Sequence, residues 1–306
     1  MGKLAIVFSG QGAQYPGMGK SLYESSAAAK KLYDEAEKFR PGTLELSFNG
    51  AAEELNKTKN TQPCLYLVDL CAALALREQG IEADGVAGFS LGEIAALAYA
   101  GAYTPEKGFE IVTNRGMFMQ AAAEKCDTAM AAVLKLDSKT IEEICEQIDD
   151  LYPVNYNSPV QTVIAGSKEA VAAFKEKAKE YSARVIDLAV SAAFHSPYMN
   201  DAAAEFADYI SDIDFKAPEI PVYSNYDASP YGDDVYSTLS KQMNNSVRWK
   251  DTIEKMIADG YTDFIEAGAG KTLCGLIKKI STDVNIYSVE DAETLQKTVE
   301  AVKANA

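Results

Sequence analysis

The sequence predicts an α/β protein in which a larger domain, built on a mostly parallel sheet, carries a small inserted subdomain of the ferredoxin-like type. Three observations support this prediction. Short apolar runs alternate with amphipathic stretches along most of the 306 residues, as in strands and helices that build a parallel sheet. One segment departs from this alternation and has the order β-α-β-β-α-β. A serine between small residues, in Gly88-Phe89-Ser90-Leu91-Gly92, lies where a strand is expected to turn into a helix.

The first part of the chain contains the strand and helix patterns that open the larger domain. The apolar run 3–8 predicts a buried strand, followed by a glycine-rich loop. Helical patterns follow at 21–39 and 63–77, the second with Thr61 as its cap and Pro63 in its first turn. Residues 86–89 then predict a strand, 91–100 a helix and 104–124 a further helix.

Residues 127–190 are predicted to form the inserted subdomain. Its strands are expected at 129–136, 151–155, 161–165 and 184–190, and its helices at 138–149 and 167–181. Six elements in this order form a compact unit of their own. The larger α/β domain is therefore predicted to be discontinuous and to comprise residues 1–126 and 191–306.

The last part of the chain returns to the alternation of strands and helices. Helices are expected at 197–212, 235–243, 249–258 and 271–280, with a last helix from residue 292. Strands are expected at 221–224, 262–266 and 285–288. This order predicts a mostly parallel sheet that is covered by helices on both faces.

The composition argues against several classes of protein. A net charge of −16 disfavours nucleic acid as a partner. The apolar runs are much shorter than the ~18 residues of a membrane span, and the run at the N-terminus is too short for a signal-peptide core. One histidine and five cysteines without a C-x-x-C pair make a metal site unexpected. We expect a cytoplasmic protein with no metal, no organic cofactor, no nucleic acid and no membrane partner.

The glycines around Ser90 predict a nucleophile elbow, the strand–turn–helix feature of hydrolase-like α/β domains. A turn this tight admits only small residues at its flanks and raises the serine hydroxyl above the edge of the sheet. The helix that begins at Leu91 directs its first backbone N–H groups to the same place, where an oxyanion would form. The pattern also occurs by chance, and a plain Gly/Ser turn is the alternative. We predict that Ser90 is a nucleophile that carries an acyl ester.

His195 is the only histidine of the chain, and a serine hydroxyl needs a base that removes its proton. A lone histidine is more often structural, but the predicted elbow requires a partner, so we predict that His195 is the general base. It follows the inserted segment, where the larger domain resumes and a loop is expected.

Arg115 lies in a helical stretch that is otherwise rich in apolar side chains. A guanidinium group in such a place needs a carboxylate, from either the protein or a substrate. Composition alone favours a structural ion pair. The loop Gly10-Gln11-Gly12 suggests a dinucleotide fingerprint, but Tyr15 replaces the third glycine. We interpret this loop as part of the site, with a backbone N–H for an oxyanion hole.

Taken together, the motifs resemble the malonyl-CoA:acyl carrier protein transacylases, within the acyltransferase family of fatty acid and polyketide synthesis. The resemblance extends over essentially the whole chain, and its order and spacing are specific although each motif alone is modest. The motifs are Phe8-Ser9-Gly10-Gln11-Gly12-Ala13-Gln14, Gly88-Phe89-Ser90-Leu91-Gly92-Glu93, Arg115-Gly116 with Met119-Gln120, Asn155-Tyr156-Asn157-Ser158-Pro159 with Gln161, Phe194-His195-Ser196, and Gln242 with Val247-Arg248-Trp249.

The resemblance implies a catalytic role for several matching positions. Ser90 would carry the malonyl ester, and His195 would act first as general base and then as general acid. The backbone N–H groups of Gln11 and Leu91 would form the oxyanion hole. Gln242 would orient His195 through its backbone carbonyl, in the place where a triad has its acid.

The resemblance also implies how the acyl group would be selected. Arg115 would bind the free carboxylate of the malonyl group, which reverses the interpretation from composition. Phe194 and Met119 would line the acyl pocket, and Phe194 resembles the residue of relatives that accept malonyl rather than methylmalonyl groups. Two positions depart from the family pattern, with Phe89 in place of a common histidine and Ser246 in place of a common proline.

The implied reaction uses malonyl-CoA as donor and acyl carrier protein as partner, in a ping-pong sequence through Ser90. We expect a monomer that docks the carrier near Lys271, Lys278 and Lys279. The alternatives are a discrete acyltransferase that serves a polyketide synthase, a serine thioesterase or hydrolase, and a non-catalytic interaction protein that has kept the fold. Arg115 and the absence of a triad acid favour transfer over hydrolysis.

Overall fold

The computed structural model describes residues 2–190 and 192–305. The strands in these ranges are β1 (Lys3–Phe8), β2 (Gly85–Gly88), β3 (Thr128–Leu134), β4 (Leu151–Ser158), β5 (Gln161–Ser167), β6 (Arg184–Asp187), β7 (Val222–Tyr223), β8 (Tyr261–Ala267) and β9 (Asn285–Val289). The helices are α1 (Lys20–Ser25), α2 (Ala27–Phe39), α3 (Thr43–Asn49), α4 (Ala52–Leu55), α5 (Thr58–Glu78), α6 (Gly92–Tyr99), α7 (Pro105–Ala123), α8 (Ser138–Cys145), α9 (Lys168–Ala178), α10 (Asn200–Ser211), α11 (Val235–Leu239), α12 (Trp249–Ala258), α13 (Thr272–Ile280) and α14 (Ala292–Asn305).

The larger sheet has the strand order β7-β2-β1-β8-β9, and its neighbouring strands run parallel. Side chains of the central strand β1 alternate between two apolar clusters, with Ile6 and Phe8 in one and Ala5 and Val7 in the other. The sheet is therefore buried on both faces, as parallel sheets generally are. This arrangement confirms the predicted parallel α/β architecture.

The carboxyl edge of this sheet is where the sequence motifs meet. β1 and β2 are adjacent and parallel, so the loops that follow them leave the sheet side by side. One of these loops contains Gly10 and Gln11, and the other contains Ser90. Ligands of parallel α/β sheets bind at this edge, in the crevices beyond the strand ends.

The smaller sheet is antiparallel and has the order β4-β5-β3-β6. Helices α8 and α9 pack on it through an apolar cluster that includes Ile141, Ile164 and Phe174. Its chain order, β-α-β-β-α-β, confirms the predicted ferredoxin-like unit. The division into residues 1–126, 127–190 and 191–306 stays a prediction, and residues 1, 191 and 306 lie outside the described ranges.

The predicted bounds of two early helices are wrong. The helix expected at 21–39 is interrupted at Ser26, whose hydroxyl accepts a hydrogen bond from the Ala29 N–H and caps α2. The helix expected from Pro63 begins instead at Thr58. Thr61 does not cap it, because its hydroxyl donates to the backbone oxygen of Leu55.

Pro63 consequently lies in the second turn of α5 rather than in the first. Its missing N–H would have bonded to the carbonyl of Lys59, so α5 lacks one backbone hydrogen bond at this position.

Other differences concern short elements. Helices α3 and α4 were not predicted, and α8 and α11 are shorter than expected. Strand β6 ends at Asp187 instead of continuing to Val190. The N–H of Leu188 still donates to the backbone oxygen of Met130 in β3, and Leu188 and Val190 line a cleft described below. Among the described residues, no helix combines the length and apolar character needed to cross a membrane.

Candidate active site

The turn between β2 and α6 has the tight geometry of a nucleophile elbow. Ser90 adopts a left-handed backbone conformation with φ of 54°. A Cβ atom on Gly88 would lie 2.0 Å from a backbone carbon of Gly92, and one on Gly92 would lie 2.4 Å from the backbone oxygen of Phe8. Only glycine fits at these two positions, which is the physical reason for the sequence pattern.

A buried asparagine holds Ser90 in this strained conformation. The Ser90 N–H donates to Asn225 Oδ1 at 2.7 Å, and Asn225 Nδ2 donates to the backbone oxygen of Gly88 at 2.6 Å. Left-handed conformations of residues other than glycine persist where the surroundings enforce them. Asn225 follows β7 and is 1% exposed, so both bonds are shielded from water.

His195 is placed to act as the base of Ser90. Its Nε2 lies 2.7 Å from Ser90 Oγ, and its Nδ1 lies 3.2 Å from the backbone oxygens of both Gln242 and Asn245. Because carbonyl oxygens only accept hydrogen bonds, Nδ1 carries the ring proton and Nε2 is free to accept the proton of Ser90. Two carbonyl groups thus orient the ring where a catalytic triad has an acid.

The surroundings keep His195 neutral. Burial, together with the positive charge of Arg115, lowers the pKa of His195 to about 4, although the two carbonyl contacts oppose both effects. A neutral imidazole at physiological pH is the form that can remove a proton. His195 itself has a left-handed φ of 60°, so both residues of the pair are held in strained conformations.

Arg115 projects from α7 and is fully buried. One terminal nitrogen donates to Ser90 Oγ at 3.1 Å and to Gln242 Oε1 at 2.7 Å, and the other donates to Gln62 Oε1 at 2.8 Å. Burial lowers the pKa of Arg115 to about 10, so it stays a cation near neutral pH. Its partners among the described residues are neutral groups, and its Nε has none. The ion pair favoured by composition is not formed, and the guanidinium suits the carboxylate of a substrate.

The side chain of Gln242 joins the separate parts of the site. Its Nε2 donates to the backbone oxygen of Ser90 at 2.7 Å and to Glu93 Oε2 at 3.1 Å, while its Oε1 accepts from Arg115. Its backbone oxygen contacts His195 Nδ1. Both N–H donors and the oxygen of the amide have partners, so its orientation is fixed.

Glu93 lies in the first turn of α6 and is fully buried. Its carboxylate accepts hydrogen bonds from the hydroxyl of Tyr231, the backbone N–H of Asn225 and Gln242 Nε2. Burial raises the pKa of Glu93 to about 7, although these bonds oppose the increase. An acid that titrates near neutrality therefore lies one side chain away from Arg115.

A cleft opens onto the Ser90–His195 pair. Gln11 and Leu91 line it, and within residues 2–190 and 192–305 neither backbone N–H donates to a protein oxygen. These two groups are available for an oxyanion. The walls of the cleft include Met119 and Phe194, which are 2% and 7% exposed.

A groove adjoins this cleft and shares Gln11, Phe89, Asn155 and Leu188 with it. The groove runs between the glycine-rich loop, β4 and α13. The side-chain oxygens of Asn155 and Asn157 are buried there without a hydrogen-bond partner. Within the described ranges, no group of three or more His, Cys, Asp or Glu side chains is arranged to hold a metal ion.

The sequence of this protein matches the family model of the acyl transferase domain over residues 5–303. A malonyl CoA-acyl carrier protein transacylase of Bacillus subtilis is 39% identical over 311 residues, which cover 99% of this chain and 98% of the relative. The chain belongs to the malonyl CoA-acyl carrier protein transacylase family.

Solved structures of transacylases have the same fold. The crystal structure of a malonyl CoA-acyl carrier protein transacylase from Clostridium perfringens matches with a TM-score of 0.95 and 36% identity, covering 99% of this chain and 98% of that one. A complex of a type II polyketide synthase acyl-carrier protein with its malonyl-transacylase matches with a TM-score of 0.93 and 34% identity, covering 98% and 99%.

The structure brings together all the residues that the resemblance to transacylases singles out. Ser90, His195, Arg115 and Gln242 form one hydrogen-bonded cluster. Gln11, Leu91, Met119 and Phe194 line the same cleft. Their roles in the reaction stay predictions.

Several residues of this transacylase site were not predicted. Glu93 directly follows the elbow, and a charged residue in an apolar helix start is a signal that could have been used. Gln62 lies next to Thr61 and Pro63, which were considered only as helix signals. No local sequence pattern points to Asn225 or Tyr231, because their hydrogen-bond partners are more than a hundred residues away in the chain.

Proposed function

We propose that this protein transfers a malonyl group from malonyl-CoA to the phosphopantetheine thiol of acyl carrier protein in fatty acid synthesis. The observation that carries the proposal is the position of Ser90 Oγ, 2.7 Å from His195 Nε2 and 3.1 Å from a guanidinium nitrogen of Arg115. A cation beside the nucleophile suits an acyl group that carries its own carboxylate. A site for neutral acyl groups would gain nothing from a buried charge.

In the first half of the reaction, Ser90 Oγ attacks the thioester carbonyl of malonyl-CoA while His195 Nε2 takes the hydroxyl proton. The N–H groups of Gln11 and Leu91 stabilise the negative charge that develops on the carbonyl oxygen. When the tetrahedral intermediate collapses, the carbon–sulfur bond breaks and His195 returns the proton to the departing thiolate. The malonyl group remains as an ester on Ser90.

In the second half, the thiol of the carrier gives its proton to His195 and attacks the ester carbonyl. The carbon–oxygen bond then breaks, and Ser90 recovers its proton from His195. Because two thioesters are exchanged, no metal or organic cofactor is expected to take part. Arg115 keeps the malonyl carboxylate in the same place in both halves, so the carbonyl stays beside the oxyanion hole.

The groove beside the cleft fits the phosphopantetheine arm. Asn155 and Asn157 offer unpartnered amide oxygens, and the arm contains amide N–H groups that can donate to them. Gln161 lines the groove and accepts a hydrogen bond from Lys279 of α13 at 3.3 Å. An acidic carrier that docks over Lys271, Lys278 and Lys279 would have its arm aligned with the groove.

The experiment that tests the proposal is acylation followed by intact mass measurement and peptide mapping. Malonyl-CoA should add a malonyl group to Ser90, and carrier protein should remove it. Ser90→Ala should give no adduct. Arg115→Ala should lower the acylation rate with malonyl-CoA by about a hundredfold or more, because it removes charge-assisted hydrogen bonds of about 1.5–3 kcal/mol each. The rate with acetyl-CoA, which has no carboxylate, should change much less.

Two outcomes would contradict the proposal. Release of free malonate in place of carrier acylation would identify a thioesterase or hydrolase. Equal discharge by fatty acid and polyketide carriers, or faster discharge by the latter, would contradict the assignment to fatty acid synthesis. We further expect a cytoplasmic protein. We also expect a monomer without a metal, which light scattering and elemental analysis of the purified protein test.

A further inference from the structure

Arg115 and Glu93 form a buried pair of opposite charges that a single amide connects. Both side chains are fully buried. Gln242 Oε1 accepts from Arg115 at 2.7 Å, and Gln242 Nε2 donates to Glu93 Oε2 at 3.1 Å. Above about pH 7, Glu93 therefore supplies a negative charge to the empty site, separated from the guanidinium of Arg115 by the amide of Gln242.

The other groups that face Glu93 carry no charge near neutral pH. Tyr231 and Tyr103 lie close to it, and burial raises the pKa of both hydroxyls well above the usual value. The remaining contacts are the backbone N–H of Asn225 and the amide of Gln242. Arg115 is thus the cation that Glu93 would share with any carboxylate entering the site.

A malonyl group brings a second carboxylate to the same cation, in a place shielded from water. Resting on the function proposed above, we propose that Glu93 takes up a proton from solvent when the malonyl carboxylate binds Arg115, and that this exchange tunes the preference for donors with a free carboxylate. Above about pH 7, where Glu93 is ionised in the empty site, Arg115 then faces one negative charge before and after binding.

The structure provides the surroundings that proton uptake by Glu93 requires. Burial already raises the pKa of Glu93 to about 7 in the empty site, and a second anion nearby raises it further. Tyr231 contacts Glu93 through its hydroxyl. A hydroxyl can donate to a carboxylate and can accept from a carboxylic acid, so this partner serves both protonation states.

The direction in which the donor preference changes with pH follows from the coupling between malonyl binding and the protonation of Glu93. Below about pH 7 Glu93 is already neutral, and malonyl binds without taking up a proton. At higher pH, binding must either draw a proton to Glu93 or leave two carboxylates competing for Arg115. The preference for malonyl-CoA over acetyl-CoA is therefore expected to fall as the pH rises through and above about 7.

The test is the ratio of kcat/KM for malonyl-CoA to kcat/KM for acetyl-CoA, measured between about pH 6 and about pH 9. Titrations of His195 and of the acceptor thiol act on both donors and largely cancel in the ratio. We expect the ratio to fall about tenfold across this range in the wild-type protein. Glu93→Gln should show a ratio that stays near the low-pH value at every pH.

Glu93→Gln keeps the shape and the hydrogen bonds of the site. The new amide oxygen can accept from Asn225 and Gln242, and the new NH₂ group can donate to the hydroxyl of Tyr231. Tyr231→Phe serves as a second variant. It removes a hydrogen bond that stabilises the carboxylate, so it should move the fall in the ratio to higher pH.

A wild-type ratio that is constant or rises with pH overturns the inference, as does a Glu93→Gln variant with the wild-type slope. If the variants do not fold, proton uptake during acylation of the wild-type protein, followed with an indicator dye near pH 7.5, decides the question. Uptake with malonyl-CoA beyond that with acetyl-CoA supports the exchange, and equal uptake overturns it. A wild-type protein without preference for malonyl-CoA at any pH refutes the proposed function and the inference with it.

Discussion

Replacing Asn225 by leucine tests how the nucleophile is held. Leucine has a similar volume but no polar atom. The change leaves the N–H of Ser90 and the carbonyl of Gly88 without the partners that now lie at 2.7 and 2.6 Å. Since Asn225 is 1% exposed, water cannot easily replace these contacts.

The expected losses of stability and rate follow from two buried polar groups that lose their partners and from one strained residue. A buried polar group that loses its partner costs about 1–3 kcal/mol, so two cost about 2–6 kcal/mol of the free energy of unfolding. Part of this loss is recovered if Ser90 leaves its left-handed conformation, whose strain is about 1–3 kcal/mol. That rotation breaks the hydrogen bond to His195, and we expect the acylation rate to fall by at least about a hundredfold.

Two measurements on the same preparation check this prediction. Chemical denaturation gives the free energy of unfolding, and intact mass against time gives the rate at which malonyl-CoA acylates Ser90. Asn49→Leu is the matched control, because Asn49 makes an exposed hydrogen bond to Glu45, and its loss should cost less than about 0.5 kcal/mol. An Asn225→Leu variant with wild-type stability and a wild-type rate would show that the elbow does not depend on this clamp.

Three further predictions concern pH, packing and backbone space. Because the pKa of His195 is lowered from 6.5 to about 4, its contribution to the free energy of unfolding is present above pH 6.5 and is lost as the pH falls towards 4. Denaturation curves measured across this pH range should show the slope. The value of kcat/KM should fall near pH 4, and a fall near pH 6.5 would contradict the role of His195 as a base held neutral by burial. Phe89→His should lower the free energy of unfolding by about 0.5–1.5 kcal/mol, because the centre of the Phe89 ring lies 5.6 Å from that of Trp249. The acylation rate should stay within about threefold of the wild-type rate. A large loss of rate would instead indicate that Phe89 takes part in the chemistry. Gly92→Ala should lower the free energy of unfolding by more than about 3 kcal/mol, because its Cβ meets a backbone oxygen at 2.4 Å. Gly275→Ala lies in open space on α13 and should raise the free energy of unfolding by about 0.5–1 kcal/mol. Thermal or chemical unfolding of both variants measures the difference, and equal effects would refute the argument from backbone space.

The parts of the site that could be predicted are those with a local or exclusive signature. The glycines around Ser90 are a short-range pattern, because the turn that they permit is itself local. His195 was found by elimination, since the chain has no other histidine. Arg115 and Gln242 came from the family resemblance, because composition alone pointed Arg115 to an ion pair that the structure does not form.

The unpredicted parts depend on tertiary contacts. Asn225 and Glu93 acquire their importance only when β7 pairs with β2 and brings them together. Helices α3 and α4 have seven and four residues, too few for an apolar period to stand out. The true start of α5 was hidden because Pro63 is a usual signal for a first turn, whereas in the structure it lies in the second.

The separation in sequence between Ser90 and its partners affects the order in which the enzyme is assembled. The contacts to His195, Asn225 and Gln242 span 105, 135 and 152 residues. A nascent chain on the ribosome displays Ser90 long before the residues that contact it have been synthesised, and contacts of such long range close late in folding. With the roles proposed above, an unfinished chain carries an ordinary, unreactive serine and cannot withdraw acyl groups from coenzyme A before the carboxyl-terminal segments are in place.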